Sequence, residues 1–154
     1  MNDRIVDLHN LYVKPQDHWY CLGDVTMERD NQGRGLAILS RMNGHKRLIL
    51  GNHDHYAMKH YLMYFEKVMA MQMMERIRFT HIPIHPSSMG GAIANVHGHI
   101  HNNQSESFKP VVQIWEDNSV HVKPYVNISL EVTNYHPVSL EQVKQMVKDA
   151  AIYS

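Results

Sequence analysis

One cysteine, Cys21, stands in the whole chain. An internal disulfide is therefore excluded, the fold cannot depend on oxidation, and a cytoplasmic address is the default expectation. A charge excess is also missing, because 15 Lys and Arg balance 15 Asp and Glu. Net charge therefore indicates neither nucleic acid nor an anionic membrane as a partner, leaving only local patches. No apolar run approaches the roughly 20 residues of a membrane helix, so no membrane partner is expected. The first residues, Met1 to Asp7, show no basic region followed by an apolar core, so no signal peptide is expected. Repeats, linkers and low-complexity segments are missing too. A single domain over residues 1–154 with one core is the expectation.

What the chain does have is 44% hydrophobic residues, a globular mixture, and 13 histidines. Residues 3–13 read as an amphipathic helix with Ile5, Leu8 and Tyr12 at i, i+3 and i+7, ended by Lys14-Pro15. Residues 18–22 read as a buried strand that includes Cys21. Residues 34–42 read as a helix, 47–50 as a strand and 56–65 as a helix. The stretches 67–74 and 76–80 read as two strands, with Met69, Met71, Met73 and Met74 as core filler. Residues 92–96 are a small-residue strand and 102–110 a polar loop. A hairpin is expected at 111–115 and 119–123 around Asp117-Asn118, then a strand at 125–132. A last helix starts at Ser139, with Ser139 and Gln142 as a capping box and Val143, Met146, Val147, Ala150 and Ala151 as its apolar face.

Four of these strands run into a polar group able to bind metal. They lead to Asp24, to Asn52-His53-Asp54, to His81, and to His99-Ile100-His101, with 28, 29 and 18 residues between successive leading positions. Sites in α/β proteins form beyond the carboxyl ends of strands, so this regular placement points to one site. Carboxylate, amide oxygen and imidazole together suit one or two divalent ions of the Mn, Fe, Ni or Zn type, and no thiolate set suggests a zinc finger. Gly23, Gly51 and Gly98 precede key residues, where a small residue permits a sharp turn and leaves room for an ion and a phosphate. Such an ion generates a hydroxide nucleophile near neutral pH, and a second one steadies an in-line displacement, with Asp24 as the natural bridge. His53 is expected to be catalytic, donating to a leaving or phosphate oxygen, with Asp54 as its orienting partner.

Gly23-Asp24, Gly51-Asn52-His53-Asp54, His81 with Pro83, and Gly98-His99-Ile100-His101 resemble the calcineurin-like metallophosphoesterase family, in the order that family keeps. The tail, Val126 to Pro137, resembles a small bacterial and phage-type subgroup. The resemblance implies an α/β fold, an α/β/β/α sandwich of two mixed sheets flanked by helices. It implies one metal held by Asp24, Asn52, His81 and His99. It implies another held by Asp24 and His101, with an aspartate and a histidine from an Asp-x-His motif at the end of a first strand. The only such triplet here, Asp7-Leu8-His9, falls within a helical pattern, where positions i and i+2 point about 200° apart. Asp7 and His9 are therefore expected to be surface residues. The family's first strand is expected to be missing, with the exposed sheet edge covered by a homodimer or another segment.

The expected function is metal-dependent hydrolysis of a small phosphomonoester or phosphodiester, such as a nucleotide. The alternative is a metal-binding or interaction domain that keeps the fold without turnover. His85 and Tyr135 are candidates to line the pocket, and Arg29 and Arg34 to hold phosphate oxygens or to be solvated. His45, His55, His60, His121 and His136 read as surface or substrate-side residues.

Overall fold

The computed structural model describes residues 2–27, 32–103, 109–114, 116 and 118–152. Helix α1 (Asn2–Tyr12) forms where the 3.6-residue pattern is expected, but its phase is shifted. Val6, His9 and Val13 turn inward, and Tyr12 is exposed. The spacing i, i+3, i+7 is the expected one, moved on by one residue from Ile5, Leu8 and Tyr12. His9 is thus buried, not on the surface, and only Asp7 is exposed. The physical reason is a partner for the ring. Nε2 of His9 donates to the Asn43 carbonyl at 3.0 Å, and the imidazole meets the Trp19 ring edge-on at 4.7 Å. A buried polar group is tolerated when its hydrogen bond is made.

Burial holds the His9 pKa below its ordinary 6.5; the Asn43 hydrogen bond opposes that shift and the nearby Lys46 charge adds to it. Above about pH 6.5 both folded and unfolded rings are neutral, so this residue exacts no penalty there. As pH falls below that value the unfolded chain takes up a proton that the folded ring resists, and stability is lost until the folded pKa is passed. The urea midpoint of the wild type should therefore fall from pH 7.5 to 5.5. A His9→Leu variant should show a smaller fall; an equal one would contradict this account.

Two larger sheets and a separate two-stranded one follow. The first runs β1 (His18–Cys21), β2 (His45–Ile49) and β3 (Lys67–Met69), in that spatial order. Both of its pairings are parallel, so among the described residues it is not a mixed sheet. Parallel neighbours require crossovers. The first crossover contains a 3-10 helix (Arg34–Arg41), where an ordinary helix was expected, and the second a single-turn α2 (Met58–Tyr61). The second sheet is mixed, with order β4 (Met71–Met74), β5 (Ile77–Thr80), β6 (Ala94–His97) and β9 (Tyr125–Asn127). The β4–β5 pair is antiparallel and the other two pairs are parallel. Strands β7 (Val111–Ile114) and β8 (Val120–Lys123) form the expected hairpin. Asp117 and part of the 102–110 loop lie outside the described residues.

The 67–74 run is not one strand. It breaks at Ala70 and passes from the first sheet to the second, so Met69 and Met74 pack on the core while Met71 and Met73 are exposed on edge strand β4. The expected strand over 125–132 stops at Asn127, whose side-chain oxygen accepts from the backbone and hydroxyl of Ser129 and turns the chain. Leu48 and Ile49, adjacent on β2, point to opposite faces. Leu48 packs with Leu36, Leu39, Tyr61 and Phe65. Ile49 packs with β5, β6 and β9 residues and with Val143 and Val147 of α3 (Leu140–Ile152). Ser139 and Gln142 make the capping box of α3 reciprocally, at 2.8 and 3.2 Å. No described helix is long and apolar enough to cross a membrane.

Candidate metal centre

The chain leaves β1 and β2 of one sheet, and β5 and β6 of the other, at the same place. Beyond their carboxyl ends lie Asp24, Asn52, His81 and His99. His81 is the floor of the cluster and is buried, while Asn52 and His99 are exposed at its mouth. Nε2 of His81 lies 2.9 Å from Asn52 Oδ1, 3.1 Å from His99 Nδ1 and 3.2 Å from Asp24 Oδ2. Ligand atoms of Asp24, His81 and His99 all fall within 4.8 Å of one another.

The other side of the His81 ring decides what this cluster can hold. Nδ1 sits 2.6 Å from the Leu22 carbonyl, which can only accept, so Nδ1 carries the hydrogen. In the neutral ring Nε2 then offers a lone pair, and it faces a carboxylate oxygen, an amide oxygen and a second imidazole. With the His81 ring neutral, its lone pair and the two oxygens repel one another, and His99 adds a fourth lone pair when its Nδ1 carries no hydrogen. A divalent ion fits that set, and a backbone carbonyl orienting a metal-binding histidine is a recurrent arrangement.

Local structure explains the convergence. Gly23 has φ +90°, and a Cβ there would sit 2.5 Å from the Gly51 nitrogen and 2.7 Å from Nδ1 of His81. A Cβ on Gly51 would strike the backbone nitrogen of Asp24 at 2.5 Å and its carboxylate more closely still. These two loops touch through backbone, which only glycine allows. Gly98 is different, since a Cβ there would come no closer than 3.8 Å to any neighbour. The expectation of a sterically required glycine therefore holds at two of the three positions. Asp24, His99 and His101 all take left-handed φ values of 54°, 66° and 51°. Backbone strain of this kind concentrates at functional sites.

Asp54 does something other than expected. Its Oδ2 accepts from the backbone nitrogens of Asp24 (2.9 Å) and Gly51 (2.8 Å), and its Oδ1 from that of Val25 at 3.0 Å. The Tyr61 hydroxyl, its pKa pushed up to about 12 by burial and by the Asp54 charge, reaches Oδ1 at 3.4 Å. The carboxylate is thus a clamp joining the Asp24 and Gly51 loops. It does not orient His53, because loop nitrogens occupy both its oxygens. The His53 backbone nitrogen donates to Asp24 Oδ1 at 2.8 Å, and its ring Nδ1 is buried with no partner among the described residues.

His101 is not in the four-donor cluster. It is exposed, and its Nδ1 pairs with Glu131 at 2.8 Å. His85 caps its own turn through Ser87, and Tyr135 sits in a turn of left-handed backbone. Arg34 is exposed at the start of the first 3-10 helix, and Arg29 lies outside the described residues. Cys21 is half-buried against the Leu36–Leu48 cluster, and burial pushes its thiol up to about 12, as for a packing residue.

Two positions escaped the sequence reading. Asn95, fully buried, accepts from the Ile84 nitrogen and donates to the Arg78 carbonyl and Thr80 hydroxyl, bracing the segment on either side of His81. An amide inside the apolar run 92–96 was the available signal. Glu131, the partner of His101, lies 30 residues downstream and carried none.

No family model matches the sequence. The chain is similar to MJ1445, an uncharacterized protein of Methanocaldococcus jannaschii, with 24% identity over 152 residues, covering 99% of this chain and 78% of that protein. Its fold is similar to the crystal structure of AQ665, a protein of unknown function from Aquifex aeolicus. The TM-score there is 0.65 at 22% identity, covering 95% of this chain and 84% of the other. That likeness establishes a shared α/β fold.

Proposed function

We propose that this chain is a metal-dependent phosphoesterase of the calcineurin-like type, built as that family's α/β/β/α sandwich. The observation that carries the reading is His81 Nε2 facing Asp24, Asn52 and His99 within 3.2 Å, with Nδ1 of the same ring held by the Leu22 carbonyl. Asp24, Asn52, His81 and His99 would hold an ion of the Mn, Fe, Ni or Zn type. That ion supplies Lewis acidity and offsets the charge of a phosphate group. The open mouth at Asn52 and His99 leaves access for a small phosphomonoester or phosphodiester. His53, tied to Asp24 through its backbone, presents an imidazole that can donate to a phosphate or leaving oxygen.

A second reading, metal binding without turnover, rests on a separate observation. His101 turns to Glu131, so the donors of a second ion are not assembled. Hydrolysis of an aryl phosphate ester in Mn²⁺ or Ni²⁺ distinguishes the two. The enzyme reading expects turnover that falls on the order of 100-fold in Asn52→Ala, with fold retained because Asn52 is exposed. Absence of turnover in the metal-loaded wild type, or turnover indifferent to Asn52→Ala, would sink it.

A further inference from the structure

A second group of metal-competent side chains lies at the other end of the parallel sheet. His18 opens β1 and His45 opens β2, and the parallel register sets them directly opposite each other. Their rings are 4.8 Å apart between centroids. Glu66, the residue before β3, places a carboxylate oxygen 2.5 Å from Nδ1 of His45. One ligand atom from each of His18, His45 and Glu66 falls within 4.8 Å of the others. All three residues are exposed, and about 13 Å of strand separates them from Asp24.

We infer that His18, His45 and Glu66 form a separate site for a divalent transition ion, with water completing its coordination. Two imidazoles and a carboxylate are a common zinc set and also suit nickel and cobalt. Ligands about 2.0–2.1 Å from one tetrahedral ion lie roughly 3.3 Å from each other. The His45–Glu66 contact is shorter than that because a hydrogen now bridges it. Entry of an ion replaces that hydrogen and moves an exposed carboxylate by under about 1 Å. The neighbouring cations, Lys46 and Arg47, act on Glu66 only through their charge and hydrogen-bond elsewhere. Lys46 donates to the Gly44 carbonyl at 3.1 Å, and Arg47 donates to the Tyr20 hydroxyl. An ion here would clip together the amino-terminal ends of β1, β2 and β3, including both edge strands of the sheet. The site does not depend on the phosphoesterase reading.

Equilibrium dialysis of the metal-stripped full chain against Zn²⁺ or Ni²⁺, with bound metal counted by mass spectrometry, tests the inference. His18→Gln/His45→Gln is expected to bind one equivalent fewer than the wild type. Asp24→Asn/His99→Gln is expected to keep that equivalent. Zn²⁺ should also raise the Tm of Asp24→Asn/His99→Gln, and adding Glu66→Gln to that variant should abolish the rise. Should the histidine double variant fail to fold, the single exposed Glu66→Gln carries the same count. An unchanged count in the folded variants, or an Asp24→Asn/His99→Gln protein that binds no metal, would overturn the site. Neither result bears on hydrolysis, so failure here is distinct from failure of the phosphoesterase proposal.

Discussion

Asp54→Ala should lower folding stability by about 3 kcal/mol, a fall of roughly 10 °C in Tm for a domain of this size. The substitution removes the acceptor of three backbone N–H groups, on Asp24, Val25 and Gly51, from a half-buried position between two loops. A partly buried donor left without an acceptor costs on the order of 1 kcal/mol or more, and a hydrogen bond to a charged acceptor is worth more than a neutral one. A further hydrogen bond, from the His53 nitrogen to Asp24 Oδ1, also joins the Gly23–Val25 loop to the Gly51 loop, and it would remain. Metal retention should fall with stability, because Asp24 and Asn52 stand on the two loops that would separate. Asp54→Asn should be intermediate, keeping one acceptor and pointing an NH2 group at a donor. Thermal melts with parallel metal counts read both effects. Loss of metal without loss of stability would instead make Asp54 a ligand, contrary to its place in the structure.

Gly51→Ala should weaken metal binding about 100-fold while costing about 1–3 kcal/mol of stability. The added carbon would meet the backbone nitrogen of Asp24 at 2.5 Å, and its carboxylate. Backbone cannot rotate aside as a side chain does, so the Asp24 loop must retreat and carry its carboxylate away from His81. Gly98→Ala is the control. Its nearest contact is 3.8 Å, and metal affinity should be unchanged. Isothermal titration with Mn²⁺ or Zn²⁺ in the two variants tests the contrast. Equal affinity in Gly51→Ala and wild type would show that the loops do not need their close approach.

Asp54 and Gly51 differ in how far the chain alone reveals them. That Gly51 precedes a candidate ligand was visible in the sequence, and so was the general reason for a glycine there. The same reason was visible for Gly98, where the structure gives no steric requirement. Only the approach of two backbones distinguishes them. Asp54 was visible as a polar neighbour of His53, and adjacency suggested the wrong partner. Its true partners, the nitrogens of Asp24 and Val25, lie 30 and 29 residues away. The α1 pattern shows the same limit at smaller scale. Its period was legible, but its phase depended on His9 finding the Asn43 carbonyl.

By itself the sequence determined which groups close the strands. Alternation, glycine and turn chemistry are local, so Asp24, Asn52, His81 and His99 could be placed at strand ends before any contact was known. The capping box at Ser139 was local for the same reason. Tertiary structure alone decided how those groups face one another. The Leu22 carbonyl selects the lone-pair side of His81, and Glu131 draws His101 away from the cluster. Sheet register brings His18 and His45 together at the far end of the same strands. Each is a pairing between residues distant in the chain, and direction in space, which local chemistry does not encode, sets what each side chain meets.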